Sequence, residues 1–215
     1  MLFVLALAPA AATAATRPKS SHYTLTKAHG VVRVTYQGTE AAGCAARGLC
    51  GVSGTATYRF GGPPRSGEVD LIEVSRPFGF GAFGTQASTS SSVQTPGAAP
   101  CQDRVTHRAD GFDLVRHSRT LMEFRFHTGV TESAASFLGT RCAGPRDGDV
   151  GLPLVKALLP LKVFRAPRLA FSVQGSRKFK RGGFEGLANW DLAFRMVGAR
   201  CNPNCAQRRT PVSGR

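Results

Sequence analysis

Five stretches of this chain alternate apolar and polar residues with a period of two. Val32, Val34 and Tyr36 alternate with Arg33, Thr35 and Gln37. Ala56, Tyr58 and Phe60 alternate with Thr55, Thr57 and Arg59, and Met122, Phe124 and Phe126 with Glu123, Arg125 and His127. Leu169, Phe171 and Val173 repeat the pattern, as do Trp190, Leu192, Phe194 and Met196. Successive side chains of an extended chain point to opposite faces, so each stretch reads as a strand with one face on a core and one in water. Residues 23–25, 69–74 and 112–115 add weaker candidates. About eight strands with few helix signals predict an all-β, antiparallel, sandwich-like domain with long loops.

The stretch from Tyr36 to Phe60 shows how such a domain is pinned. One strand runs in, a short loop from Cys44 to Cys50 follows, and a second strand runs out. The chain holds six cysteines. An even count in an exported chain favours disulfides, and 15 pairings of six are possible. The economical set is Cys44 with Cys50, Cys101 with Cys142, and Cys201 with Cys205. The middle bridge closes the longest loop and stabilises most in a loop-entropy picture. Zinc is the rival reading. With no C-x-x-C pair and no His at finger spacing, neither a metal nor a cofactor is expected.

Residues 2–8 are uniformly apolar, and Ala12-Thr13-Ala14 has the small-x-small form of a cleavage site. Arg17 and Lys19 then end the uncharged run. Sixteen residues are short for a membrane span, which needs about 20. The expectation is a signal peptide over residues 1–14, with no transmembrane span after its removal. An uncleaved anchor is the alternative. No basic residue precedes the apolar run, which points to a start further upstream or to a weak signal.

Residues 15–200 then form the β domain. Residues 78–100, rich in Gly, Ser and Pro, read as a long loop or a soft boundary between two halves, and the Ser run argues for mobility. Pro153 and Pro160 bracket residues 154–159, which suit one or two helical turns or a strand. Residues 169–179 and 184–197 read as a hairpin turning through Lys180-Arg181-Gly182-Gly183, where Gly-Gly supplies the positive φ of a tight turn. Residues 201–215 form a basic, disulfide-bounded tail.

With 28 Lys and Arg against 13 Asp and Glu, the formal charge is +15. Such a balance attracts polyanions such as acidic wall polymers or nucleic acid. The densest cluster is Arg177, Lys178, Lys180 and Arg181 around Phe179, at the end of the expected hairpin. The competing reading is a solvated hairpin end that discourages edge-to-edge aggregation. Asp147 and Asp149, with Asp103, Asp110 and Asp113, are the only acidic grouping. A carboxylate pair can hydrolyse a glycosidic bond or hold calcium, but Asp-Gly-Asp is also a turn. The G-x-G-x-x-G at Gly79, Gly81 and Gly84 follows Pro77 and precedes a Ser/Thr run, so no helix N-terminus awaits a phosphate. Its Phe78, Phe80 and Phe83 either cover a core edge or form a contact patch. The five histidines show no metal-ligand spacing, and no hydrolase elbow, zinc-protease or Walker motif is present.

Three phrases carry a resemblance. They are Gly43-Cys44 through Leu49-Cys50-Gly51 with Ser53-Gly54-Thr55; Thr140-Arg141-Cys142-Ala143-Gly144-Pro145 with Asp147 and Asp149; and Phe179 with Gly183-Phe184 and Gly186. Together the chain resembles exported β-rich proteins of high-GC bacteria, a group with no established activity. The resemblance implies a shared architecture and nothing catalytic. The expectation is a secreted, non-catalytic cell-envelope or extracellular protein that binds acidic polymers through a basic hairpin. A secreted hydrolase using a carboxylate pair and a purely structural surface protein are the alternatives.

Overall fold

The computed structural model describes residues 19–39, 42–46, 48–62, 68–73, 78–82, 85–108, 111–127, 142, 145, 155–165 and 168–201. Strand β1 (Lys19–Gly38) carries the architecture. One of its edges is paired along nearly its whole length with β11 (Phe184–Cys201). Its other edge is shared. Residues 19–24 pair with β3 (Glu68–Glu73), and residues 28–37 pair with β2 (Ser53–Gly62).

The change of partner coincides with a bulge. Leu25 faces Met196 and Lys27 faces Arg195, which leaves Thr26 as an extra residue. Its hydroxyl donates to the Arg195 carbonyl at 3.0 Å. A bulge bends its strand and increases the local twist, which suits a point where one strand serves two arms of a sheet. It also keeps the core face inward, because Tyr23, Leu25, Ala28 and Val32 are all buried although 25 and 28 are three apart.

From this fork two arms extend. The first runs β1–β2–β5–β6, with β5 at Gln86–Gln94 and β6 at Cys101–Arg108. On its other side β11 carries β10 (Arg168–Arg181), completing a six-stranded layer. The second arm runs β3–β4–β7–β8–β9, with β4 at Phe78–Ala82, β7 at Gly111–Arg116, β8 at Leu121–His127 and β9 at Lys156–Pro160. All pairings are antiparallel. The arms close face to face over aromatic rings. Phe60 of β2 stacks on Phe126 of β8 with centroids 5.2 Å apart, and Phe112 and Phe124 lie 5.1 and 5.7 Å from Phe194 of β11. The fold is therefore an all-β, antiparallel, sandwich-like domain. The apolar residues of the five alternating stretches form its core, with only Phe171 partly exposed.

Among the described residues two disulfides pin it. Cys44–Cys50 closes the loop between β1 and β2, around the short helix α1 (Ala42–Ala45). Cys101–Cys142 ties the start of β6 to the segment beyond β8. Cys201 ends β11, and Cys205 lies outside the described residues, as do residues 1–18, Asp147, Asp149 and the tail from 202. Among the described residues no helix is long and apolar enough to cross a membrane.

The structure departs from the sequence reading in three places and decides a fourth. Among the described residues eleven strands are present where about eight were expected, and residues 23–25 and 32–36 belong to one strand. The stretch read as a mobile loop contains β4 and β5, and the Ser run is a paired internal strand of the first arm. Of the two readings left open for residues 154–159, the strand is the one found: residues 156–160 pair with β8, and a short 3-10 segment follows at Leu161–Arg165. There the Leu161 amide donates to the Thr120 carbonyl at 2.8 Å, which turns the chain off the sheet. Lys180 and Arg181 belong to β10, not to the turn.

Candidate polyanion-binding surface

The β10–β11 hairpin is closed by Gly182 and Gly183 alone, with φ of 59° and 85°. A two-residue turn with both central residues at positive φ follows the natural twist of a hairpin, and glycine adopts it without strain. The four basic residues are thus held in register. Strand alternation divides them: Arg177 and Arg181 share the face of Phe179, while Lys178 and Lys180 point the other way.

Phe179 is buried and anchors the tip. Its ring occupies the space above Gly186, where a Cβ would come within 2.6 Å of it. The Thr39 amide donates to the Gly183 carbonyl at 2.7 Å, and Tyr36 meets Phe184 edge-on at 6.4 Å. The hairpin end is therefore clamped to the end of β1. Lys180 faces Glu185 across the pair at 3.6 Å. Both are exposed, so the pair is screened and worth little to stability, yet it partly neutralises that lysine. Arg177, Lys178 and Arg181 are exposed and make no ion pair among the described residues.

A second basic surface lies on the outward face of the six-stranded layer. Cross-strand register sets Arg33 of β1, Thr57 of β2, Ser90 of β5 and Arg104 of β6 in one row. The neighbouring row holds Val31, Arg59, Ser88 and Thr106. On the opposite side lie Thr35, Thr55, Ser92 and Gln102. Arg33, Arg59 and Arg104 are all exposed. The alternate residues Val32, Val34, Tyr58 and Phe60 are buried beneath. Shallow clefts open here. One of about 480 Å³ is lined by Thr55, Thr57, Ser90, Ser92, Gln102 and Arg104, with Asp103 at its edge; another, about 250 Å³, by Arg59, Ser88, Arg104 and Thr106. Arg104 lines both. The outward positions of β2, β5 and β6 in these three rows carry no acid. Asp103 belongs to the opposite set of β6, and its carboxylate accepts from the Arg104 amide at 2.7 Å. The nearest outward acid towards β11, Asp191, accepts from Gln174 at 3.1 Å.

The remaining candidates are scattered. Asp113 sits opposite Arg125 between β7 and β8, and Asp110 is outside the described residues. His117 stands 4.0 Å from Glu123, whose carboxyl is held below the usual range first by a 2.7 Å hydrogen bond from Arg125, with Lys156 at 3.4 Å adding to it. Among the described residues no three His, Cys, Asp or Glu side chains converge as a metal set. Phe78 is half exposed at the start of β4, while the Phe80 side chain and Phe83 lie outside the described set.

The arginine face was not anticipated. Arg33 and Arg59 stood on the polar sides of two recognised strands, but Arg104 lies in a strand that period-two reading missed. Nothing in the sequence states the register that brings the three together. No family model, curated protein or solved structure matches the chain.

Proposed function

We propose that this is an exported, non-catalytic envelope or extracellular protein that attaches to acidic polymers through its basic hairpin. The observation that carries the reading is the fixed hairpin end, where Arg177, Lys178 and Arg181 are exposed and free of acidic partners among the described residues. A charge of +15 supports it, because electrostatic attraction to repeated anions scales with the cations presented. Two disulfides support export, since such bonds persist in oxidising compartments.

Retention on heparin, DNA and a wall teichoic acid across a salt series tests it. Binding should weaken linearly in log salt, with a slope of roughly 0.9 per DNA phosphate neutralised. Arg177→Gln, Lys178→Gln and Arg181→Gln should each reduce that slope, and Lys180→Gln should do less because Glu185 already faces it. Absence of retention at low salt would overturn the reading and leave a structural surface protein.

A further inference from the structure

We infer that the outward face of β1, β2, β5 and β6 is a binding site for an acidic polysaccharide, with Arg33, Arg59 and Arg104 taking its carboxylate or sulfate groups. The inference shares with the proposed function the premise of an anionic polymer, but it places the site on different residues.

Geometry argues for a polymer. Neighbouring strands lie about 4.8 Å apart, so the backbones at Arg33 and Arg104, three strands apart, are separated by about 14 Å. Arg59 is one row further along, about 7 Å on. Three guanidinium groups rooted on backbone positions spread this far suit a chain with repeated anions better than one small anion. Guanidinium groups suit such ligands because their planar fork donates two parallel hydrogen bonds to a carboxylate or sulfate.

The ground between the arginines argues for a sugar. Thr57 and Ser90 separate Arg33 from Arg104 within their row, and Ser88 and Thr106 follow Arg59 in the next. Each of these side chains ends in a hydroxyl that both donates and accepts, which is what the hydroxyls of a sugar ring require. Nucleic acid fits less well. Single strands are held by stacking on aromatic rings, and the Tyr and Phe residues of these four strands, Tyr23, Tyr36, Tyr58 and Phe60, are all buried, which leaves His29 as the exposed ring among the described side chains. The outward side of four paired strands is also broader than the single helix or two-stranded ribbon that fits the major groove. The face is preorganised, because its residues stand on paired strands and little ordering entropy is lost on binding.

Titration calorimetry with polygalacturonate, its neutral methyl ester and an oligodeoxythymidylate of matching charge tests the inference. The wild-type protein should prefer polygalacturonate to both. Arg59→Gln with Arg104→Gln should weaken polygalacturonate about 10- to 100-fold and the oligonucleotide much less. Ser88→Ala with Ser90→Ala should weaken polygalacturonate several-fold without changing its salt slope. All four positions are exposed or half-buried on the outer face, so melting temperatures should stay within a few degrees of wild type. Equal losses for polygalacturonate and oligonucleotide, or no preference between them, would overturn the polysaccharide assignment. Loss of polygalacturonate binding only in the Arg177→Gln, Lys178→Gln, Arg181→Gln variant would overturn the face and leave the hairpin reading standing. Loss only in the face variants would do the reverse. No binding to any polyanion would remove both.

Discussion

Replacing Phe194 by Ala should cost about 5 kcal/mol of folding stability. Phe194 is 1% exposed in the middle of β11. Its ring lies 5.1 Å from Phe112 and from Phe171, 5.7 Å from Phe124 and 6.2 Å from Phe60. Two of these neighbours belong to its own layer and two to the layer opposite, so the ring is a bridge between the arms. Truncating a buried Phe to Ala typically costs about 3–5 kcal/mol. Each aromatic pair adds about 0.5–1.5 kcal/mol beyond area burial, which places this site at the upper end. Domains of this kind are stable by about 5–15 kcal/mol, so Phe194→Ala sits close to unfolding. Phe194→Leu is the companion variant; it fills most of the space, forfeits the ring pairs and should lose about 1–2 kcal/mol. Urea unfolding followed by the fluorescence of Trp190, the only tryptophan, reads both. The midpoint should fall with the slope unchanged. Phe78→Ala, at a half-exposed position, should change stability by less than about 1 kcal/mol. A loss under about 1.5 kcal/mol for Phe194→Ala, or one equal to that of Phe78→Ala, would refute the bridging role.

The disulfides should rank by loop length. With sequence separations of 41 and 6, the loop-entropy relation gives about 4 kcal/mol for Cys101–Cys142 and about 2 kcal/mol for Cys44–Cys50, so paired Cys→Ser variants should melt in that order. Burial pushes the Tyr36 hydroxyl from 10.0 up to about 12. The folded state therefore holds this proton more tightly than the unfolded chain, and the associated stability, up to about 2–3 kcal/mol, should be lost as pH rises from 10 towards 12. Tyr36→Phe should remove that alkaline dependence, with denaturant midpoints as the readout. Glu123 runs the other way. Its lowered carboxyl contributes stability above the ordinary carboxylate range and loses it as pH falls through the lowered value. Glu123→Gln should flatten acid unfolding below about pH 5 by no more than about 1 kcal/mol, because the group is partly solvated.

The legible part of the fold was the part whose core face is large and apolar. Tyr58 and Phe60, Phe124 and Phe126, and Leu192 and Phe194 announce their strands because burial and alternation coincide. The Gly182-Gly183 turn was legible for its own reason, the cost of positive φ to any other residue. What escaped was set by neighbours. Residues 86–94 present Ala87, Thr89, Ser91 and Val93 inward, too small and polar to register as a core face. β4 is built on Gly79 and Gly81, and β6 is mostly polar. The basic hairpin was found by composition, but its division between two faces follows from alternation and was readable once the strand was extended to Arg181. The arginine face needed three registers at once, and register is decided by the bulge at Thr26 and by pairing across the sheet.

Strand β5 shows why its low complexity is a packing solution and not a sign of mobility. Ala87 faces Phe60, Thr89 faces Tyr58 and Ser91 faces Ala56 across the β2 pairing. Small residues beside Tyr58 and Phe60 leave room for the two rings to tilt against each other at 5.9 Å and for both to reach Phe126. Larger apolar residues at 87 and 89 would overpack that space, at a typical cost of 1–3 kcal/mol. The arrangement has its own cost, since the buried Thr89 hydroxyl has no hydrogen-bond partner among the described residues, a penalty of about 1–3 kcal/mol. Outward, the same strand must stay low for the clefts beside Arg59 and Arg104 to remain open, and Ser88, Ser90 and Ser92 do so while keeping hydroxyls at the surface. Two demands, small residues under the aromatic rings and short hydroxyls between the guanidinium groups, fall on alternate positions of one strand. A run of Ser and Thr meets both.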